Sequence, residues 1–328
     1  MLFKLIESLV VATVAFQLVP GSWTPVAFDL NSVPQEIVSG EIIWQESLPV
    51  AGDIAVASLP KAGEWPEPIK INDESLGIKT TATNVIAVDL ASGKILFEKN
   101  ADQARPIASI TKLMTALVFL DNNPGWNEQV TIKNVLSIGN NNFSDGERIK
   151  AKDVFYSALV GSDNTAARNL AYATGMSMEE FVSAMNAKAL EMELSEANFV
   201  DPDGLDPANR ASAIDVIKIL RAALESNDVI LATQRRTYEF RSLSGDYHYI
   251  KTTNDLLSSF INNPPYSVVA AKTGSLLAAG YCLAMAIEKD GNVVLVVSLK
   301  SESNYYRFQD VKSLAYWVFE NYEWPQYD

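Results

Sequence analysis

One cysteine and one histidine in 328 residues exclude more chemistry than anything else in this sequence. Cys282 has no partner, so there is no internal disulfide and no cysteine-based metal centre, and the expected role is a small buried apolar residue. His248 is equally alone, which excludes a histidine-rich metal site and leaves any imidazole-dependent serine hydrolase only this residue to use. The stretch around it, YEFRSLSGDYHYIKTT, alternates polar and aromatic residues and reads as strand, turn and strand, where a packed or solvated histidine is the ordinary outcome. Positive charge is also scarce: 26 Lys and Arg against 40 Asp and Glu leave a formal net charge of -14. That balance argues against nucleic acid or an anionic membrane surface as an electrostatic partner.

Long apolar runs are missing too. The N-terminus, MLFKLIESLVVATVAFQLVPGSW, carries Lys4 and then an apolar stretch from Leu9 to Val19, which is short for a spanning helix and is interrupted by Gln17. Residues 1–27 read as an export segment or N-terminal anchor with no clear cleavage site, an amphipathic helix packed on the body being the alternative. Residues 28–75 hold Pro34, Pro49, Pro60, Pro66 and Pro68, scattered acids and no sustained period, which describes a linker or loosely held arm. The remainder, 76–328, is the expected folded domain, and a hydrophobic content of 48% is ample for its core.

What is present begins with VIAVDL and ILFEKN, two apolar strands joined by a turn at Gly93. A helical stretch follows, punctuated by Gly161 and Gly175 and by capping boxes at Ser177/Glu180 and Ser212/Asp215. Between the last two helices, FVDPDGLDPANRA is too rich in Pro, Asp and Gly for regular structure, and loops of this length in a compact domain are often functional. SVVAAKTG, YCLAMAIEK and NVVLVVSLK then read as strands, the last two joined at Asp290-Gly291. A final helix is expected from about Phe308 to Tyr322. Strands at both ends of a helical block predict an α+β domain with one antiparallel sheet flanked by helices.

The segment RPIASITKLMTALVFLD carries the first candidate chemistry. Ile110, Leu113, Met114, Leu117 and Val118 have helical spacing, so the segment is expected to be a central helix with Ser109 in its first turn. Positions i and i+3 share a helix face, which brings the Lys112 amine to the Ser109 hydroxyl. A serine hydroxyl needs such a neighbour, because it is a poor nucleophile until its proton has somewhere to go. Ser58 and Lys61 repeat the spacing with Pro60 between them, where proline prevents the helical register. Two further polar clusters interrupt apolar elements: Ser162-Asp163-Asn164 just after Gly161, and Lys272-Thr273-Gly274 at the end of Val268–Ala271.

Ser-x-x-Lys, Ser-Asp-Asn and Lys-Thr-Gly in that order are the motifs of penicillin-binding proteins and class A β-lactamases. Together with PIASITKLMTAL, the Gly-Leu of DPDGLDP and KTGSLLAAGYCL, they make residues from about Leu76 to Tyr322 resemble the D-alanyl-D-alanine peptidases of the low-molecular-mass penicillin-binding proteins, peptidase S11. The resemblance implies a helical subdomain beside the sheet, an active site in the cleft between them, and no cofactor or metal. It implies Ser109 as the acylated nucleophile, Lys112 as its base and Ser162 as a proton relay. Asn164 would hold Lys112 and the substrate backbone. Lys272, Thr273 and Gly274 would line the substrate carboxylate site, and burial together with Lys272 as a nearby cation would lower the pKa of Lys112. Ser109 and Ser275 would supply the backbone N–H groups of an oxyanion hole, and Arg307 resembles an arginine near the carboxylate site.

The expected partners are peptidoglycan stem peptides, with β-lactams as covalent inhibitors, and the expected location is periplasmic or otherwise extracytoplasmic, with N-terminal membrane attachment left open. Ser275-Leu276-Leu277 departs from the family, which more often has an aromatic residue or histidine and then threonine there. The end at Asp328, six residues beyond Tyr322, resembles the single-domain endopeptidase branch. Carboxypeptidase action, a class A-like β-lactamase and a sensor that acylates without turnover are the alternatives. The Glu-x-x-Leu-Asn expected of the β-lactamase is absent.

Overall fold

The computed structural model describes residues 66–325. The segment read as exported or anchoring (1–27) and residues 28–65 of the expected linker lie outside the described residues. Strands β1 (Asn84–Asp89) and β2 (Ile95–Lys99) form the expected hairpin, and β3 (Tyr266–Leu276), β4 (Gly280–Lys289) and β5 (Asn292–Ser301) follow near the C-terminus. All five make one antiparallel sheet in the order β3-β4-β5-β1-β2. The two ends of the domain therefore meet along β5 and β1, with Leu295 opposite Val88 and Val297 opposite Ile86.

Every residue of β1 is buried. Side chains alternate across a strand, so Ile86 and Val88 enter one core while Val85 and Ala87 enter another. A strand covered on both faces reads as a continuous apolar run, which is how VIAVDL looks in sequence.

Between the strand groups lie α1 (Thr111–Asp121), α2 (Ala151–Val160), α3 (Asn164–Ala173), α4 (Met178–Glu191), α5 (Ala213–Ala223) and α6 (Asn227–Thr233), and α7 (Asn304–Asn321) closes the domain. Leu113, Met114 and Phe119 of α1 and Val216 and Leu220 of α5 join the core on the Ile86 face. Val311, Leu314 and Val318 of α7 cover the other face. Both expected capping boxes are present, at Ser177/Glu180 and Ser212/Asp215. The last helix starts earlier than expected, because Ser303 accepts from the Tyr306 N–H and caps it there. Arg307 is thus inside the helix, not ahead of it. Helix α6 was not expected; Ser226 caps it and seven residues are too few to show a period.

Residues near the described N-terminus are also held. Ile69–Lys70 pairs with Tyr322–Glu323, and the Trp317 indole N–H donates to Ser75 Oγ at 2.6 Å. The folded body therefore reaches back beyond the expected boundary at 75/76, because a strand of two residues leaves no periodic signal. Among the described residues no helix is long and apolar enough to cross a membrane.

Candidate active site

Ser109 does not lie in the α-helix itself. Ala108–Ile110 form a single 3-10 turn that leads into α1, and Ala108 holds φ +48°, a left-handed conformation that costs a residue with a Cβ. Two close neighbours keep the turn there. A Cβ on Gly204 would collide with the Ala108 carbonyl, and one on Gly274 would stand 2.7 Å from the Ile107 carbonyl oxygen. The DPDGL loop and strand β3 thus press on the serine turn from separate sides, and glycine permits both approaches.

Lys112, one turn later, is 1% exposed. Its Nζ donates to Ser109 Oγ at 2.8 Å, Asn164 Oδ1 at 2.7 Å and the Asp203 carbonyl at 2.5 Å. Three acceptors match the three protons of an ammonium, and none of the three carries a formal charge. Burial lowers the Lys112 pKa to about 8, against the opposing pull of Asp203, Asp163 and Asp201. The amine is therefore held where it can give up its proton without leaving the hydroxyl.

The tripeptide Ser162-Asp163-Asn164 spans the break between α2 and α3. Ser162 is left-handed, with φ +55°. Asp163 is the N-cap of α3: Oδ1 accepts from the Ala166 N–H at 2.8 Å, and Oδ2 accepts from the Asn142 N–H at 2.7 Å. Asn164 opens α3, and its Nδ2 donates to the Ile138 carbonyl at 3.0 Å, which fixes the orientation that offers Oδ1 to Lys112. The middle residue anchors the segment while its two neighbours reach the lysines.

Lys272, buried within β3, donates to Ser162 Oγ at 2.8 Å. Its pKa is lowered well below the usual lysine value, first by burial and then by the charges of Lys112 and Arg307. Burial is the largest cause for both amines; the expectation that Lys272 lowers Lys112 describes a mutual repulsion that is seen at Lys272. Thr273 Oγ1 lies 2.5 Å from Thr253 Oγ1. Ser275 and Leu277 are exposed at the end of β3. Arg307 is only 6% exposed, and its Nη1 donates to the Gly274 carbonyl at 3.0 Å while the guanidinium lies 4.7 Å from the Phe308 ring centre. Its hydrogen bond goes to the backbone of β3, so the strand is what it braces.

The structure brings Ser109, Lys112, Ser162, Asn164 and Lys272 into two hydrogen-bonded sets that meet on one tripeptide. It adds residues that motif spacing did not reveal. Asp201 gathers the N–H groups of Asp203, Gly204 and Asp206 and so shapes the DPDGL turn. Arg168 of α3 pairs with the Asp203 carboxylate. The loop's composition marked it as irregular, but nothing in the sequence says that its carbonyl faces Lys112. His248 lies elsewhere, against Glu147. Among the described residues no cluster of His, Cys, Asp and Glu could hold a metal ion.

Comparison with known proteins gives the chain its relatives. The D-alanyl-D-alanine endopeptidase of Pseudomonas aeruginosa is 31% identical over 284 residues, covering 83% of this chain and 85% of the relative. The D-alanyl-D-alanine endopeptidase of Escherichia coli is 31% identical over 246 residues, covering 72% and 76%. Among solved structures, the DD-transpeptidase of Streptomyces K15 aligns with a TM-score of 0.67 at 25% identity, over 75% of this chain and 100% of that one. Penicillin-binding protein D2 from Listeria monocytogenes in its cefotaxime-bound form aligns with a TM-score of 0.65 at 26% identity, over 75% and 100%. Residues 71–303 match the peptidase S11 family, described as D-alanyl-D-alanine carboxypeptidase, and the chain belongs to that family.

Proposed function

We propose that the protein is a serine-type D,D-peptidase that cleaves peptidoglycan stem peptides through an acyl-enzyme on Ser109. The observation that carries this reading is the buried Lys112 amine, 2.8 Å from Ser109 Oγ, with a pKa lowered to about 8. Neutral Lys112 takes the Ser109 proton as Oγ attacks the carbonyl carbon of the penultimate D-alanine. Negative charge then develops on the carbonyl oxygen, where the N–H groups of Ser109 and Ser275 stabilise it. The proton on Lys112 passes by way of Ser162 to the departing amine, the C–N bond breaks, and the acyl chain remains on Ser109. Water, activated by the same lysine, cleaves the ester and restores the hydroxyl. Lys272 and Thr273 receive the substrate carboxylate, Asn164 holds Lys112, and Arg307 keeps β3 in place at Gly274.

Endopeptidase action on D,D cross-links is the favoured form. The relatives at 31% identity are D-alanyl-D-alanine endopeptidases, whereas the Bacillus subtilis D-alanyl-D-alanine carboxypeptidase is 26% identical. Ser275 is small and exposed, and Leu277 projects fully into solvent at the end of β3, which leaves room for a second peptide strand. A β-lactam presents its reactive carbonyl and carboxylate to the same groups and acylates Ser109. The site of action is outside the cytoplasm, and the apolar run from Leu9 to Val19 is proposed to direct export and to attach the protein by its N-terminus. Readings as a β-lactamase or a non-turnover sensor have less support, since the match is to a peptidase family. Mass spectrometry of muropeptides is the test: a cross-linked dimer should fall to monomer at least as fast as a monomeric pentapeptide loses D-alanine. D-Alanine release with the dimer untouched would transfer the assignment to a carboxypeptidase, and turnover of neither would remove it.

A further inference from the structure

We infer that Arg168 is a positioning residue which, by pairing with Asp203, keeps Lys112 free to lose its proton. The inference rests on the reading of Lys112 as the base for Ser109. Asp203 touches the site through two different groups. Its carbonyl accepts from Lys112 Nζ at 2.5 Å, while its carboxylate meets Arg168 Nε through Oδ2 and the Leu205 N–H through Oδ1 at 2.9 Å. The Asp203 side chain is wholly buried and that of Arg168 is 31% exposed. Arg168 stands on α3 one turn after Asn164, the i and i+4 positions of one helix face. That face therefore presents an amide to Lys112 and a guanidinium to the residue beside it.

The charges around Lys112 show why such a pairing matters. Asp163 faces it from the start of α3, and Asp201 and Asp203 face it from the DPDGL loop; all three favour the ammonium form. Lys272 from β3, with Arg307 of α7 beyond it, opposes a charge in the same region. Among the described residues, Asp203 is the one member of the acidic trio that forms an ion pair. A carboxylate bound to a guanidinium acts at a distance as a dipole, whereas a bare buried carboxylate acts as a full charge in a medium that screens it poorly. Burial opposes the Arg168 charge, but the hydrogen bond and ion pair with Asp203 outweigh it and raise the Arg168 pKa, so the guanidinium stays charged. Without Arg168, the Asp203 carboxylate would stand as an unpaired charge among those that already favour the ammonium of Lys112, and the base would keep its proton.

The test is the pH dependence of Ser109 acylation by a chromogenic β-lactam, because its acid limb reports the pKa of the base in the free enzyme. Arg168→Gln should move that limb upward by about one pH unit, the effect of an opposite charge newly exposed to the amine. Asp203→Asn should move it downward, since an unpaired Arg168 then repels the ammonium. The double variant should return close to wild type, and Arg168→Lys, which keeps the charge, should stay there. A purely structural role would lower the rate at every pH and leave the limb in place, and that result in both single variants would overturn the inference. Should Arg168→Gln melt below the assay temperature, Asp203→Asn and Arg168→Lys still decide it, through the downward shift of one and the unchanged limb of the other. Wild-type acylation that survives Ser109→Ala or Lys112→Ala would mark failure of the underlying mechanism instead, which separates the two outcomes.

Discussion

Lys112 and His248 are both buried bases, 1% and 8% exposed, yet the protein holds them in opposite ways. Lys112 donates to a hydroxyl, an amide oxygen and a backbone carbonyl. His248 Nε2 meets a carboxylate, Glu147 Oε1, at 2.6 Å, with the Phe240 ring stacked at 4.7 Å and the Phe143 ring edge-on at 5.3 Å. Uncharged acceptors solvate an ammonium without fixing its charge, whereas a buried carboxylate holds the ring nitrogen it meets in one place. Among the described residues no serine hydrogen-bonds to His248, and a histidine so enclosed is suited to holding structure. The pair ties the hairpin strand Tyr247–Lys251 to the segment whose Asn140 and Asn142 side chains bind the Gly161 carbonyl and Asp163. His248 therefore supports the Ser162-Asp163-Asn164 break from behind.

The contrast is tested most severely at the lysine. Ser109→Ala should abolish labelling by a fluorescent penicillin, and Lys112→Ala should slow acylation by about 10²- to 10⁴-fold, the usual worth of a positioned base. Both variants should keep a cooperative melt. Persistent labelling of the Ser109 variant would place the nucleophile elsewhere and leave the difference between the two bases without chemical meaning.

Much of this arrangement was legible because the chemistry is local. Ser109 and Lys112 are one turn apart, the capping boxes are four-residue patterns, and VIAVDL announces an apolar strand. Interactions that depend on tertiary folding were less visible. Arg307 was expected ahead of the last helix and near the carboxylate site; it lies within α7, braced against Gly274, because Ser303 caps the helix one turn earlier. The 3-10 turn that carries Ser109 was read as the first turn of an α-helix, since the pressure of Gly204 and Gly274 comes from residues distant in sequence. The Arg168–Asp203 pair bridges 35 positions, and no spacing rule connects them.

Gly204 offers a finer probe, because it tests placement and leaves every reacting group unchanged. With φ +81° and the Ala108 carbonyl in its way, an alanine there must displace either the loop or the serine turn. Displacing the loop takes the Asp203 carbonyl from Lys112, and displacing the turn moves Ser109. Gly204→Ala should therefore cut the acylation rate by about 10²-fold in protein that is still folded, as expected when reacting atoms are misplaced by a fraction of their separation, and should lower the melting temperature through the strain of a Cβ at a left-handed position. An unchanged acylation rate would mean that the third hydrogen bond of Lys112 contributes nothing to its function.

The smallest effect on chemistry is expected at His248. His248→Gln retains a donor for Glu147 but loses the stacked ring, so acylation should stay within a few-fold of wild type. Stability should fall by about 1–3 kcal/mol, because glutamine's amide cannot reproduce the geometry of a buried charge-assisted bond. Thermal melting and acylation kinetics on the same preparation separate the two effects. A lower melting temperature with near-normal acylation assigns His248 to the scaffold and leaves Lys112 as the base. The reverse pattern, with acylation lost and the melt unchanged, would mean that imidazole takes part in proton transfer, and the uncharged acceptors around Lys112 would then no longer distinguish a reactive base from a structural one.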